Sequence, residues 1–116
     1  MIAGKVWGTT KLLLRTPFVE IHELVVLPGS RCSMHLHSHK WNAFYVLEGE
    51  LHIEVEKKGY PLTDTTVLRA GDICTVPPGE YHRFVTTGQA GCKALELYYP
   101  EQLSEDITRR DHGART

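Results

Sequence analysis

The stretch MHLHSHKWN, Met34 to Asn42, places histidines at three alternate positions, His35, His37 and His39. On an extended strand, alternate side chains share a face, so two or three imidazoles are spaced to meet one ion. Imidazole nitrogen suits Fe, Mn, Zn, Ni, Co or Cu, and such an ion polarises a carbonyl or activates water or oxygen. The other reading is a polar strand face rich in histidine. These residues alone leave open whether three, two or none of them are ligands. A second place for chemistry is ALELYY, Ala94 to Tyr99. Alternation sets Glu96 and Tyr98 on one face and Leu95, Leu97 and Tyr99 on the other. If the first face lines the interior, Glu96 is a candidate general base and Tyr98 a hydrogen-bond donor. If the leucines fill the interior instead, Glu96 is solvated.

The glycines and prolines around these residues are regularly spaced. Five residues separate Gly29 from His35; after His37, four precede Asn42 and six more precede Gly49. Further on, five residues separate Gly71 from Pro77, and Gly79 and His82 follow. This pair of motifs resembles the cupin family. The resemblance implies a small antiparallel β-barrel, or jelly roll, whose two motifs form neighbouring strands and hold one divalent transition metal ion inside. Carried onto this chain, the metal ligands are His35, His37 and His82. The flanking glycines set the register: a His37–His39 pair would need a glycine at Arg31, so His39 is left at the rim, behind the ligands, or simply in solvent. Where the family usually has a glutamate ligand, this chain has Asn42. An amide offers only a neutral carbonyl oxygen, or stays unbound, so a site of three imidazoles and Asn42 keeps the full dication charge and favours an anionic ligand. KVWGTT, FYVLEGEL, PPGEYHRF and SEDITRRDHG also resemble a branch of small cupins similar to mannose-6-phosphate isomerase. A shared fold does not by itself carry that activity.

The elements that must position these residues read as strands. FVEIHELVVL, NAFYVL, ELHIEVE, TTVLR, DICTVP, HRFVTT and KALELYY are β-branched, aromatic or alternating. Pro28-Gly29, Gly49, Lys58-Gly59, Gly71-Asp72, Pro77-Pro78-Gly79 and Gly88 to Gly91 fall between them. Short strands with turn residues at such intervals predict an all-β sandwich or barrel. PEQLSEDITRR is the single helix candidate, opening after Pro100, and residues 101–116 form a polar tail. The apolar run KLLLRTPF reads as an edge strand needing cover; the family resemblance makes it a candidate homodimer interface.

A chain of 116 residues suits one domain, 1–116, with its core motifs over about 28–86. A net charge of −1 without a basic block argues against nucleic acid as a partner. No apolar run is long enough to span a membrane, and MIAGKVWGTTKLLLRTP lacks the pattern of a secretory signal; a soluble cytoplasmic protein is expected. Cys32, Cys74 and Cys92 are odd in number and widely spaced, as expected of small buried hydrophobes rather than disulfide staples. Arg83 could bind a substrate anion or sit on the surface; Trp41, Tyr45 and Tyr81 read as packing or pocket wall. The expected partner is a small molecule, anionic or sugar-like. Three functions fit: a metal-dependent enzyme isomerising or epimerising a sugar or sugar phosphate, a three-histidine iron-dependent dioxygenase, or a non-catalytic small-molecule binder.

Overall fold

Period-two patterning builds this molecule. The computed structural model describes residues 2–57, 59, 61–100, 110 and 113–115. Eight strands follow in order: β1 (Ile2–Lys5), β2 (Gly8–Arg15), β3 (Glu20–Val26), β4 (Trp41–Glu56), β5 (Thr63–Arg69), β6 (Ile73–Val76), β7 (Tyr81–Val85) and β8 (Cys92–Tyr99). Every pairing is antiparallel, in the order β1-β2-β3-β8-β4-β5, with β6 and β7 also paired to β4. There is no helix among the described residues. The all-β architecture expected from the turn spacing is therefore the one observed. The proposed helix after Pro100 and nearly all of the polar tail lie outside the described residues.

NAFYVL and ELHIEVE are not two strands joined by a turn. They form one strand, β4, whose first half pairs with β6 and β8 and whose second half pairs with β5 and β7. The strand bends at a register shift between Val46 and Glu48. Gly49 completes the bend at φ 81°, opposite Cys92, where a Cβ would stand 2.3 Å from the Gly91 carbonyl oxygen. Only glycine combines that backbone with that approach. A glycine that reads as turn punctuation thus lets one strand serve both sheets and close the barrel.

The interior is filled from β3 to β8. Leu24 and Val26 of β3, Phe44, Val46, Leu51, Ile53 and Val55 of β4, Leu68, Val76, Phe84 and Ala94 are all buried. On β3 this fixes which face points inward. Leu24 and Val26 share their face with Glu20 and His22, so an acid and an imidazole enter the barrel alongside the core. On β8, Cys92, Ala94 and Glu96 are buried, so the face carrying Glu96 and Tyr98 is the inner one and Leu95 and Leu97 point away. Cys32 and Cys92 are buried free thiols, whereas Cys74 is half-buried.

KLLLRTPF is only partly an edge. β1 pairs with Gly8–Lys11 of β2 and covers it, while β3 runs along its other side. Beyond Lys11 the β1 side is open, and Leu13, Leu14 and Phe18 are exposed.

Candidate metal centre

His35 and His37 lie on the segment that leads from β3 into β4. The segment is not a full strand: it touches β7 through isolated bridges at Arg31–Val85 and His35–His82. The His35 and His82 backbones exchange hydrogen bonds of 3.0 and 2.8 Å, which sets their side chains next to each other. Gly79, in the Pro77-Pro78-Gly79 turn at φ 86°, donates its N–H to the His37 carbonyl at 2.8 Å. One turn therefore holds His37 and launches β7 toward His82. The ring centroids of His35, His37 and His82 are 4.7–5.4 Å apart, and one ligand-capable atom from each lies within 4.8 Å of the others. His39 is exposed and outside this group.

The hydrogen bonds show which ring atoms are left for a ligand. The His35 Nδ1 donates to the Ser33 carbonyl at 2.7 Å, leaving Nε2 with its lone pair. His37 Nε2 is buried with no partner, a costly arrangement for a polar atom unless something meets it. Burial, with His35, Lys40 and His82 nearby, pushes the His37 imidazole down to about 4. His82 is also held below its ordinary range, chiefly by burial. Neutral imidazole is the form that binds metal.

Asn42 is completely buried. Its Nδ2 donates to the Leu97 carbonyl at 3.1 Å and to Glu96 Oε2 at 3.4 Å, which fixes the amide and turns Oδ1 toward His82. Oδ1 lies 3.0 Å from His82 Nε2, while His82 Nδ1 lies 2.9 Å from the Glu80 carbonyl. A neutral imidazole has one N–H for these two oxygen acceptors. One contact is thus lone pair against lone pair unless a cation stands between them. At that separation both atoms would be able to face one ion. The donor set of His35, His37, His82 and the Asn42 oxygen fits a divalent transition metal, with three neutral nitrogens and one neutral oxygen.

Glu96 stands beside this set. It is buried and accepts hydrogen bonds from Asn42 and Tyr98. Burial raises its carboxyl above the ordinary range, against the opposing effect of those two donors. Tyr98 is raised as well, by burial and by the neighbouring Glu96, so its phenol stays protonated and donates. The Tyr98 ring lies 5.1 Å from that of His37. His35, Glu96 and Tyr98 line a cavity of about 630 Å³, together with residues that the motifs did not single out: Trp7, Lys40 and His22. Trp7 meets Phe84 edge-on at 4.8 Å. His22 bonds Glu20 at 2.8 Å and Thr10 at 3.3 Å. Their signal in the sequence was the alternation of β3 for His22 and the stretch KVWGTT for Trp7, with none for Lys40. Arg83 is paired with Glu54 at 2.5 Å and is not part of this cavity's lining, nor are Trp41, which stacks on Tyr99, and the exposed Tyr81.

Comparison with known proteins follows the same outline. The model of the cupin domain family matches residues 22–98. A mannose-1-phosphate guanylyltransferase of Klebsiella pneumoniae is 26% identical over 100 residues, which are 86% of this chain and 20% of that protein. The acireductone dioxygenase of Saccharomyces cerevisiae is 36% identical over 80 residues, 68% of this chain and 44% of the enzyme. The chain thus spans less than half the length of either relative. Among solved structures, KdgF from Halomonas sp. superposes with a TM-score of 0.71 at 19% identity, covering 84% of both chains.

Proposed function

The chain belongs to the cupin domain family, and on that premise we propose that it is a metal-dependent enzyme that isomerises or epimerises a sugar or sugar phosphate. The observation that carries this reading is the buried His37 Nε2 that meets no partner, beside a His82 ring that has one N–H for two oxygen acceptors, the Glu80 carbonyl and Asn42 Oδ1. His35, His37, His82 and Asn42 would hold the ion. When bound, the ion supplies Lewis-acid polarisation of a carbonyl oxygen and stabilises negative charge there.

The chain's own residues supply the rest. Glu96 carries the proton: its buried carboxyl holds one more firmly than a surface carboxylate and can pass it between neighbouring carbons of a bound sugar. Tyr98 donates to Glu96 and keeps it oriented. Asn42 donates to Glu96 through Nδ2 and would give its Oδ1 lone pair to the ion, so it would link the proton carrier to the metal set. Trp7 and Phe84 form an apolar wall of the cavity. The likeness to a mannose-1-phosphate guanylyltransferase supports a sugar-phosphate ligand. The test is exchange of carbon-bound hydrogen in deuterated water, with metal-loaded protein and a panel of aldoses, ketoses and their phosphates. Exchange in at least one is expected; its absence throughout removes the reading.

A second reading, an iron-dependent dioxygenase, is favoured by the all-neutral donor set and by the likeness to yeast acireductone dioxygenase. It requires oxygen uptake by the iron-loaded protein and none by the zinc-loaded one. We further propose a homodimer through the open edge of β2 and the turn that follows it, where Leu13, Leu14 and Phe18 are exposed; sedimentation of wild type against Leu13→Glu/Phe18→Glu tests it, with a monomeric wild type as the opposing result.

A further inference from the structure

The charges around the cavity are unevenly balanced. Lys5, Arg31 and Lys40 line it, and none of the three has a carboxylate partner among the described residues. The two acids that line it are already engaged. Glu20 is paired with Arg15 at 2.6 Å and with His22 at 2.8 Å; Glu96 is hydrogen-bonded by Asn42 and Tyr98.

Lys40 is the cation best held in place. It immediately precedes Trp41, whose ring stacks on Tyr99 at 6.4 Å with planes 8° apart, so the backbone there is anchored to β8. The side chain is half-buried, and its Nζ lies 4.1 Å above the centre of the Tyr98 ring. That ring packs against His37. The ammonium is therefore one aromatic ring away from the metal set. It also stands where two cavities meet: Glu20, Lys40 and Tyr98 line both the main cavity and a neighbouring cleft of about 230 Å³ that includes Phe18 and Tyr99. A lysine on an aromatic face retains free N–H donors for a ligand oxygen.

We propose that Lys40 is the specificity-determining residue of this site. It takes the anionic group of the ligand, a carboxylate or a phosphate, while the ligand's hydroxyl or carbonyl oxygens reach the histidine set. The substrate class is then an anionic sugar derivative, a sugar acid or sugar phosphate, and not a neutral sugar. This rests on the metal-centre reading for the position of the ligand's other end, but the role of Lys40 is read separately.

The experiment titrates metal-loaded protein with mannose, mannose 6-phosphate and mannuronate by calorimetry, with metal content measured on every sample. Wild type is expected to bind at least one of the two anions about tenfold or more tightly than mannose, the yield of one charge-assisted contact. Comparison of the two anions tells phosphate from carboxylate. Lys40→Met should lose that preference with metal content unchanged. Lys40→Arg should retain most of it, and Lys11→Met, an exposed lysine on β2, should leave it intact. A wild type that binds neither anion more tightly than mannose overturns the proposal, as does a Lys40→Met protein that keeps the preference. Loss of metal from the wild type would instead count against the metal centre, and the anion preference of Lys40 would still be measured on the same samples.

Discussion

Acidifying the metal-free protein should expose the cost of keeping His37 neutral. Its imidazole is held down to about 4, against 6.5 for a free histidine, chiefly by burial. The sign follows from proton counting. Between these two values the unfolded chain binds a proton at His37 and the folded chain does not, so stability falls as the pH drops from about 6.5 to about 4, with no contribution from this residue above that window. At about 1.4 kcal/mol per unit, the full displacement sets a ceiling of about 3 kcal/mol; solvent screening at a half-buried ring reduces it to about 2 kcal/mol. The assay is urea unfolding of chelator-treated wild type and His37→Gln at a series of pH values from 7.5 to 4.5. Subtracting the variant removes the carboxylates and His82, which titrate in both proteins. The wild type should lose about 1–2 kcal/mol more than the variant over that range. Parallel curves would refute the assignment of a desolvated, neutral His37. Saturating metal should suppress the difference, because a coordinated nitrogen does not take a proton until the ion leaves.

Other substitutions probe separate parts of the account. Asn42→Asp places a carboxylate where the family's acidic ligand usually stands, cancelling one unit of the ion's charge; metal retention in chelator competition should rise about tenfold or more. Glu96→Gln should keep the metal and slow hydrogen exchange from substrate by about 10²–10⁴-fold, read by mass spectrometry of the sugar. Gly49→Ala forces a Cβ to 2.3 Å from the Gly91 carbonyl at a positive φ, and denaturant unfolding should show a loss of about 2–4 kcal/mol.

How far the sequence reaches can be judged residue by residue. The barrel was legible because its strands alternate and glycine or proline marks most of their ends. Gly49 misled in one respect: it does not end a strand but bends one, and that depends on Gly91 and Cys92, more than forty residues away. The grouping of His35, His37 and His82 was legible only through paired glycine and proline anchors, since alternate spacing alone admits His39 equally. The inward face of β8 could not be decided from ALELYY, where the apolar residues argue for the opposite orientation; the burial of Cys92 and Ala94 settles it. Lys40 carried no local signal of its own, and Trp7 only its place in KVWGTT. Each reaches the cavity from a connecting segment, and where such a segment lies is set by the strands it joins rather than by its own residues.

The central claim is that His35, His37, His82 and Asn42 hold one divalent metal ion. Elemental analysis of the purified chain after exhaustive dialysis, set against His82→Ala prepared in parallel, tests it most directly. About one transition metal ion per wild-type chain is expected after reconstitution, with most of it lost in the variant and the fold retained by circular dichroism. A wild type that retains no metal, or a variant that retains as much, would contradict it.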